Sequence, residues 1–305
     1  MHRRIRVLIS CLSVCFLSPA MTVADEMTNY TVGSTAGKLP GDAVLSASQD
    51  GLGGMWLISA SISDLLDRER SFISRFDGTW EEFQFGFAIV SMLDRRGNMW
   101  IGGQNVLGYY QKREGRWELA RTFSHGPAPG WRPFLTGGEY SEEGFTIRTL
   151  FEDRLGTLWF GTGNGVTSYN LEDDNWRTHR PDSGVMDSVA TVTIAQDVTG
   201  HMWFGTSKGL ARLNVEDDMW VTDPIFEGED VSTILRTDDG KMWVGLEQPA
   251  DPGQQSIFRF ELRNGNWQNV LDLVVGNVPN HKSLTTIYQS RDGSVWVGTS
   301  EQGVF

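Results

Sequence analysis

The sequence predicts an all-β fold, a β-propeller built from four-stranded antiparallel blades. Three observations lead to this prediction. A tryptophan follows a glycine by three residues in six similar phrases, the segments around these phrases are rich in β-branched and aromatic residues, and the phrases recur at intervals of 40 to 59 residues. A period of this length with short strands is typical of one propeller blade per unit. The six tryptophans are Trp56, Trp100, Trp159, Trp203, Trp243 and Trp296.

The third repeat unit shows how a blade is encoded. Residues 146–151 are rich in β-branched and aromatic side chains and predict an inner strand. Asp153 then opens a turn, because an aspartate side chain accepts backbone N–H bonds and a following glycine adopts positive φ. Residues 158–162 and 166–170 predict the second and third strands, and Trp176 marks the fourth, outermost strand. Each unit therefore predicts one sheet, and the unbroken repeat predicts one domain.

The six repeated tryptophans are predicted to be structural residues. We expect each indole to be buried between neighbouring blades, where truncation to alanine costs about 3 to 5 kcal/mol. A feature present in every unit builds the blade. A functional site must therefore be sought in the residues that differ between units.

The repeated phrase resembles the repeat of the two-component regulator propeller family. The third and fourth units follow its pattern closely, whereas Thr237 replaces the aspartate in the fifth unit. The matching residues are Asp153, Gly156, Trp159, Gly161, Thr162, Gly165 and Tyr169 in the third unit and Asp197, Gly200, Trp203, Gly205, Thr206, Gly209 and Leu213 in the fourth. The resemblance implies an exported sensor module, such as the periplasmic input region of a membrane-bound histidine kinase, and many such modules detect glycans. It also implies a signalling partner, a histidine kinase or cyclase region that is C-terminal or separate.

The N-terminal segment has the pattern of a secretory signal peptide. Three arginines precede an apolar run at residues 7–17, and small residues precede Asp25. We predict a signal peptide at residues 1–24 and a propeller at residues 25–305, exported to the periplasm with no membrane span in the mature chain. A retained membrane anchor is the alternative. Cys11 and Cys15 both lie in the apolar run, so we expect no disulfide, thiolate metal site or cysteine nucleophile in the mature protein.

Charge and composition narrow the classes of partner. The formal net charge is −13, which disfavours nucleic acid and other polyphosphate partners. The sequence contains no compact loop of alternating aspartates that would suit calcium. We therefore predict no nucleic-acid partner, no metal site and no cofactor.

The last repeat unit is cut short in this sequence. The chain stops at Phe305, a few residues into the expected third strand of the sixth unit. We expect an incomplete last blade and interpret the chain as a fragment of a seven-bladed or longer propeller. The alternative is that the segment around Tyr30 and Val32 completes the sixth blade.

A ligand site is predicted at the blade ends that carry the long loops. In a propeller, the connections between blades and those between strands two and three emerge on one face, and every long insertion here belongs to that set. Variable loops on a rigid scaffold are where binding usually resides. The longest insertion and the inner strand after it supply the candidate ligand-binding residues, which are His125, Trp131, Arg132, Phe134, Tyr140 and Arg148.

These candidates suit a glycan or another small ligand. Aromatic rings stack on sugar rings, and a guanidinium binds a carboxylate or hydroxyl groups. The alternative is a loop that packs on itself through Trp131 and Phe134, with Arg148 in a structural role.

Three function classes remain open at this point. The first is a non-enzymatic, ligand-binding sensor propeller. The second is a propeller lyase or hydrolase acting on a polysaccharide or cyclic ester, and the third is a protein-interaction scaffold. His125, His179 and His281 lie in interblade loops and could together ligate a metal or serve as acid and base, but we interpret them as solvated loop histidines. We assign no catalytic residue.

Overall fold

The computed structural model describes residues 43–61, 71–104, 106–123, 146–163, 165–179, 190–222, 224–247, 256–270, 284–290, 292–299 and 303–304. The regular structure in these residues consists of β-strands and one short 3-10 turn at Pro224–Phe226. No helix in this part of the chain is long and apolar enough to cross a bilayer. The predicted all-β fold is confirmed, and its six antiparallel sheets are propeller blades.

The chain forms two compact units, Met1–Ile147 and Arg148–Phe305. The described part of the first unit consists of two four-stranded blades whose strands follow chain order. The first blade contains β1 (Ala43–Gln49), β2 (Met55–Ala60), β3 (Phe72–Phe76) and β4 (Trp80–Phe83). The second contains β5 (Phe87–Leu93), β6 (Met99–Gln104), β7 (Val106–Arg113) and β8 (Arg116–Thr122).

In the next three blades the strands again follow chain order, and β9 begins at the last residue of the first unit. The third blade contains β9 (Ile147–Glu152), β10 (Leu158–Thr162), β11 (Gly165–Asn170) and β12 (Asn175–His179). The fourth contains β13 (Thr191–Gln196), β14 (Met202–Thr206), β15 (Gly209–Asn214) and β16 (Met219–Thr222). The fifth contains β17 (Val231–Arg236), β18 (Met242–Leu246), β19 (Ile257–Arg263) and β20 (Asn266–Asn269).

The sixth blade has three strands in the described residues, in agreement with the predicted incomplete last blade. They are β21 (Leu284–Gln289), β22 (Val295–Thr299) and β23 (Gly303–Val304). The interpretation of the chain as a fragment stays a prediction. The signal peptide at residues 1–24 and the single domain at residues 25–305 also stay predictions, and residues 1–42 lie outside the described part of the chain.

An aspartate organises the turn between the first and second strands of a blade. In the third blade, Asp153 Oδ1 accepts the backbone N–H groups of Leu155 and Thr157, each at 2.9 Å. Asp153 Oδ2 accepts the indole N–H of Trp159 at 2.9 Å. Gly156 completes the turn with a φ of 85°, which favours glycine. One carboxylate thus satisfies three donors and fixes the tryptophan to its turn.

The same arrangement recurs in other blades. Asp50, Asp94 and Asp197 each bind two turn N–H groups and the indole of the tryptophan six residues later. In the sixth blade a serine replaces the aspartate, and Ser290 Oγ accepts the indole N–H of Trp296 at 3.2 Å.

The repeated tryptophans pack against the following blade. Trp56 contacts Trp117 of the second blade with ring centroids 5.1 Å apart, and Trp203 contacts Trp267 of the fifth blade at 5.4 Å. Trp56, Trp100, Trp159, Trp203 and Trp243 are all buried. Trp296 differs from the expectation, because 47% of it is exposed. In the described residues no further blade follows the sixth to cover this ring.

Side-chain amides join the turns of neighbouring blades. Gln196 Oε1 accepts the backbone N–H of Arg154 in the preceding turn at 2.9 Å. Gln289 Oε1 accepts the backbone N–H of Asp238 in the same way at 2.8 Å. Gln49 holds the equivalent position in the first blade, where its buried Oε1 has no hydrogen-bond partner. The turns between the first and second strands lie at one end of each blade, and we call it the turn end.

Candidate functional site

The opposite end of the blades, called here the loop end, contains the first residue of each inner strand and the last residue of each second strand. Among the described first and second strands, three buried polar atoms near this end lack a hydrogen-bond partner. They are Ser59 Oγ, one residue before the end of β2, Gln104 Oε1 at the end of β6, and Thr191 Oγ1 at the start of β13. A buried polar group without a partner costs about 1 to 3 kcal/mol, so such groups need an explanation.

A β-bulge recurs in the inner strands near the loop end. In five blades the inner strand contains one extra residue that has no partner in the second strand. This extra residue lies five positions before the residue that opens the turn between the two strands. A bulge re-aims the side chain of the extra residue and is common beside binding sites. The residues at this position are Leu45, Ile89, Val192, Ser232 and Thr285.

Arg148 occupies the equivalent position in β9, five residues before Asp153. The side chains at this position in the other blades are uncharged. Arg148 is exposed, and in the described part of the chain it makes no hydrogen bond or ion pair. A free guanidinium at the loop end therefore distinguishes the third blade from the others.

The carbonyl oxygen of Thr191 lies beside Gly161 of the third blade. A Cβ added at Gly161, in the strand paired with β9, would meet the carbonyl oxygen of Thr191 at 2.8 Å. The next blades show the same relationship, because Ser232 Oγ donates to the carbonyl oxygen of Leu284 at 2.6 Å. Ser232 and Leu284 hold the positions in the fifth and sixth blades that Arg148 and Thr191 hold in the third and fourth. The backbone at the start of β13 thus lies close to the first two strands of the third blade.

A pair of carboxyl groups lies at the loop end of the fifth blade. Asp230 precedes β17 and Glu247 follows β18, and the backbone N–H of Glu247 donates to the carbonyl oxygen of Asp230 at 2.8 Å. Burial raises the pKa of both carboxyl groups, and a hydrogen bond to Asp230 raises the pKa of Glu247 further. The hydrogen bond between the two carboxyl groups acts in opposite directions, because it lowers the pKa of Asp230 and raises the pKa of Glu247.

Sequence analysis missed this acid pair, although a signal for it exists. Val231 pairs with Leu246 in the antiparallel ladder, so the residue before one strand lies opposite the residue after the other. Acidic residues at both of these flanking positions predict a carboxyl pair once the strand ends are known.

The structure contradicts the sequence-based expectation for His179. It was expected to be a solvated loop histidine, but it ends β12 and is only 4% exposed. Its Nε2 lies 2.8 Å from Ser168 Oγ, and its Nδ1 lies 3.8 Å from Asp218 Oδ1. Its ring lies on Trp159 with centroids 4.6 Å apart. Burial, aided by the nearby positive charge of Arg177, lowers the pKa of His179 to about 4, against the opposing effect of Asp218.

The residue opposite each tryptophan explains this burial. Arg212 lies opposite Trp203 and places its guanidinium over that ring at 5.1 Å. Ser168 holds the equivalent position opposite Trp159 and is too short to cover the ring. His179 fills this space, so its role is to complete the packing of the indole.

The other predicted candidates cannot be placed. His125, Trp131, Arg132, Phe134 and Tyr140 lie outside the described residues, as does His281. They stay predictions. Of the predicted ligand-binding set, the structure describes Arg148 alone.

Comparison with known proteins identifies the repeat. The family described as two component regulator propeller matches residues 144–164 and 277–301. Among curated proteins, no relative matches the chain.

Solved structures with the same fold include extracellular domains of proposed hybrid two-component systems from B. thetaiotaomicron. The BT3049 domain has 21% identity and a TM-score of 0.58, covering 84% of this chain and 31% of that one. The BT4673 domain has 14% identity and a TM-score of 0.56, covering 86% and 37% respectively. The chain thus spans about a third of the length of these two proteins.

Virginiamycin B lyase from Staphylococcus aureus is also similar, at 14% identity and a TM-score of 0.56, with 83% of this chain and 76% of that chain covered. At these identities the likeness concerns the fold alone. The turns, the tryptophans and the two matched segments show that this chain contains two-component regulator propeller repeats.

Proposed function

We propose that the chain is an exported sensor propeller that binds a glycan or another small ligand at its loop end, without catalysis. The observation that carries the proposal is the exposed guanidinium of Arg148 at the loop end of the third blade, where the other blades carry uncharged side chains. A guanidinium binds the carboxylate or hydroxyl groups of a ligand.

The comparisons support the sensor interpretation. Two of the similar structures are extracellular domains of proposed hybrid two-component systems. In such a system, we propose, binding at the loop end biases a histidine kinase or cyclase region that is C-terminal or separate. Export through the signal peptide at residues 1–24 places the loop end where it meets periplasmic ligands.

A second candidate function is hydrolysis. The contacts of Ser168 with His179 and of His179 with Asp218 follow the order of a hydrolase triad, and a lyase is among the similar structures. However, Ser168 and His179 are 6% and 4% exposed, and His179 lies against Trp159. A substrate carbonyl could not approach Ser168 Oγ in this packing, so we place the pair in the core.

Thermal-shift measurements test ligand binding. The purified chain is heated with a panel of neutral and acidic glycans, and a ligand at 100 times its Kd adds about 2.7 kcal/mol of stability. A concentration-dependent rise in Tm supports the proposal. Replacing both Trp131 and Arg132 by alanine should abolish the shift if the long insertion contributes to binding. The absence of any shift across the whole panel would contradict the proposed function.

Hydrolysis is tested separately. Chromogenic esters and polysaccharides are incubated with the chain and with a Ser168→Ala variant. The proposal expects no turnover by either protein. Turnover that depends on Ser168 would establish the second candidate function instead.

A further inference from the structure

The outer strand of the fourth blade, β16, differs from the other outer strands in its exposed side chains. Met219 is 60% exposed and Val221 is 46% exposed, and they lie on either side of the outer tryptophan, Trp220. Residues two apart in a strand point to the same face, so the two apolar side chains lie side by side. Ile225, in the 3-10 turn that follows β16, is also exposed. The outer strand of this blade therefore presents an apolar face to solvent.

The equivalent positions in the other blades with a described fourth strand carry polar or charged residues. These residues are Thr79, Glu81, Arg116, Glu118, Asn175, Arg177, Asn266 and Gln268. Charged side chains on an edge strand normally hinder its pairing with another chain. Polar residues evidently suffice for the blade at these positions, so the fold does not require Met219 and Val221 to be apolar.

The backbone of β16 is available for pairing. This strand pairs with β15 on one side, and no strand in the described part of the chain pairs with its outer side. Its outward N–H and C=O groups can therefore bind an added strand, which is the mode of peptide recognition called β-augmentation. A strand added here would place alternate side chains against Met219 and Val221.

The charges around β16 indicate which kind of strand fits. Glu216 and Asp217, in the turn before β16, are exposed, and so is Glu227 after the 3-10 turn. A second copy of this chain would bring the same acids and a net charge of −13, so like charges oppose its pairing here. A strand from a different protein with basic residues near its ends is complementary to these acids.

We propose that β16 is a docking strand for an extended segment of another protein, with apolar residues at alternate positions and basic residues near its ends. The segment pairs with the free edge of β16, and its apolar side chains cover Met219 and Val221. Its basic residues lie beside the acids that flank the strand. The ligand site proposed above uses Arg148 on an inner strand, so this inference goes beyond that function and does not rest on it.

A phage-displayed library of random ten-residue peptides, selected against the immobilised chain, tests the docking strand. The enriched peptides should alternate apolar residues and contain lysine or arginine. Each is synthesised, and its affinity is measured by fluorescence anisotropy. Binding should also slow hydrogen exchange at the backbone amides of residues 219–222, because strand pairing protects them.

A double variant tests the apolar face. Met219→Arg with Val221→Glu installs the pair that the second blade has and leaves the net charge unchanged, so the variant should fold. It should weaken peptide binding by about tenfold or more, because both apolar contacts are lost and charges flank the edge. Asn266→Glu with Gln268→Arg is the matched control, since it introduces one acid and one base at the equivalent positions of the fifth blade. It should leave the affinity unchanged.

The charge complementarity has its own variant. Glu216→Gln should weaken binding of the basic peptides by about twofold to threefold, and this difference should disappear in about 0.5 M NaCl, where exposed charges are screened. Enriched peptides that carry acidic instead of basic residues would contradict the proposed charge of the partner.

The remaining outcomes decide for or against the docking strand. Peptides that lose affinity in the Met219→Arg, Val221→Glu variant and not in the control support it. Peptides that bind both variants equally, no enrichment from the library, or binding without slowed exchange at residues 219–222 would each overturn it. Sedimentation velocity is measured on the chain alone. Self-association that the double variant abolishes would assign β16 to a second copy and would also overturn the proposal.

Discussion

Asp153 and Trp159 are joined by a hydrogen bond of 2.9 Å between the carboxylate Oδ2 and the indole N–H, and both residues are buried. The carboxylate also accepts two backbone N–H groups of the turn. The bond fixes the large ring that the next blade covers. The local turn and the packing between blades therefore depend on the same side chain.

Replacing Asp153 by alanine should destabilise the protein by about 2 to 4 kcal/mol, because three donors lose a buried charged acceptor. Chemical denaturation of the variant measures this loss. Glu216→Ala is a matched control, since Glu216 is an exposed acid on a turn of the neighbouring blade, and it should change stability by less than about 0.5 kcal/mol. A loss for Asp153→Ala no larger than the control's would mean that water replaces the carboxylate.

Two of the repeated tryptophans differ in exposure, and they test how much burial of this ring contributes to stability. Trp203 is 1% exposed and packs on the fifth blade, whereas Trp296 is 47% exposed. Trp203→Ala should cost about 3 to 5 kcal/mol, and Trp296→Ala should cost about 1 kcal/mol or less. The midpoint of urea unfolding reports the difference. Equal losses would show that the ring of Trp296 is covered in solution.

The low pKa of His179 predicts a pH dependence of stability. The folded-state pKa is about 4, below the ordinary value of 6.5. Between these values the unfolded state binds a proton that the folded state does not, so stability is highest above about pH 6.5 and falls as the pH is lowered towards 4. The full effect is on the order of 3 kcal/mol. A His179→Gln variant should lose less stability than the parent protein between pH 7 and pH 4.5.

The quantity to compare is the difference between the stability-versus-pH profiles of the parent protein and of His179→Gln, because acidic groups elsewhere titrate in the same pH range. His201→Gln is the control, because the side chain of His201 is 38% exposed. Its profile should follow that of the parent protein. Parallel profiles for His179→Gln and the parent would contradict the buried, neutral state of His179.

Short-range chemistry made most of the fold predictable from sequence. An aspartate that binds backbone groups two and four residues later, and an indole six residues later, leaves a recognisable local pattern in four of the six units. The spacing of these turns indicates the strands between them. Asp153 and Trp159 could be identified because their contacts are local in sequence.

Contacts between blades and between distant strands could not be predicted in the same way. The burial of His179 depends on a serine eleven residues earlier that leaves the ring of Trp159 uncovered. The approach of the Thr191 carbonyl oxygen to Gly161 depends on how neighbouring blades pack, which no spacing in the sequence encodes. Arg148 itself was identified from its place on the inner strand, whereas the buried, unpartnered hydroxyl of Thr191 was missed.

The carboxyl pair of Asp230 and Glu247 predicts a stability that falls as the pH rises, opposite to the dependence predicted for His179. Burial raises the pKa of both groups in the folded state, so the stability they contribute is present at low pH and is lost as the pH rises through the folded-state values. Glu247→Gln replaces the acid by an amide that can donate to Asp230 and does not ionise. The variant should therefore have a higher Tm than the parent at pH 7, and this advantage should shrink as the pH falls towards 4.

Glu227→Gln is the control, because Glu227 is an exposed acid before the same blade, and its Tm should show no such trend with pH. A Glu247→Gln variant that is less stable than the parent at pH 7 would show that Glu247 works as an anion, which would place a cation or a ligand donor beside it at the loop end.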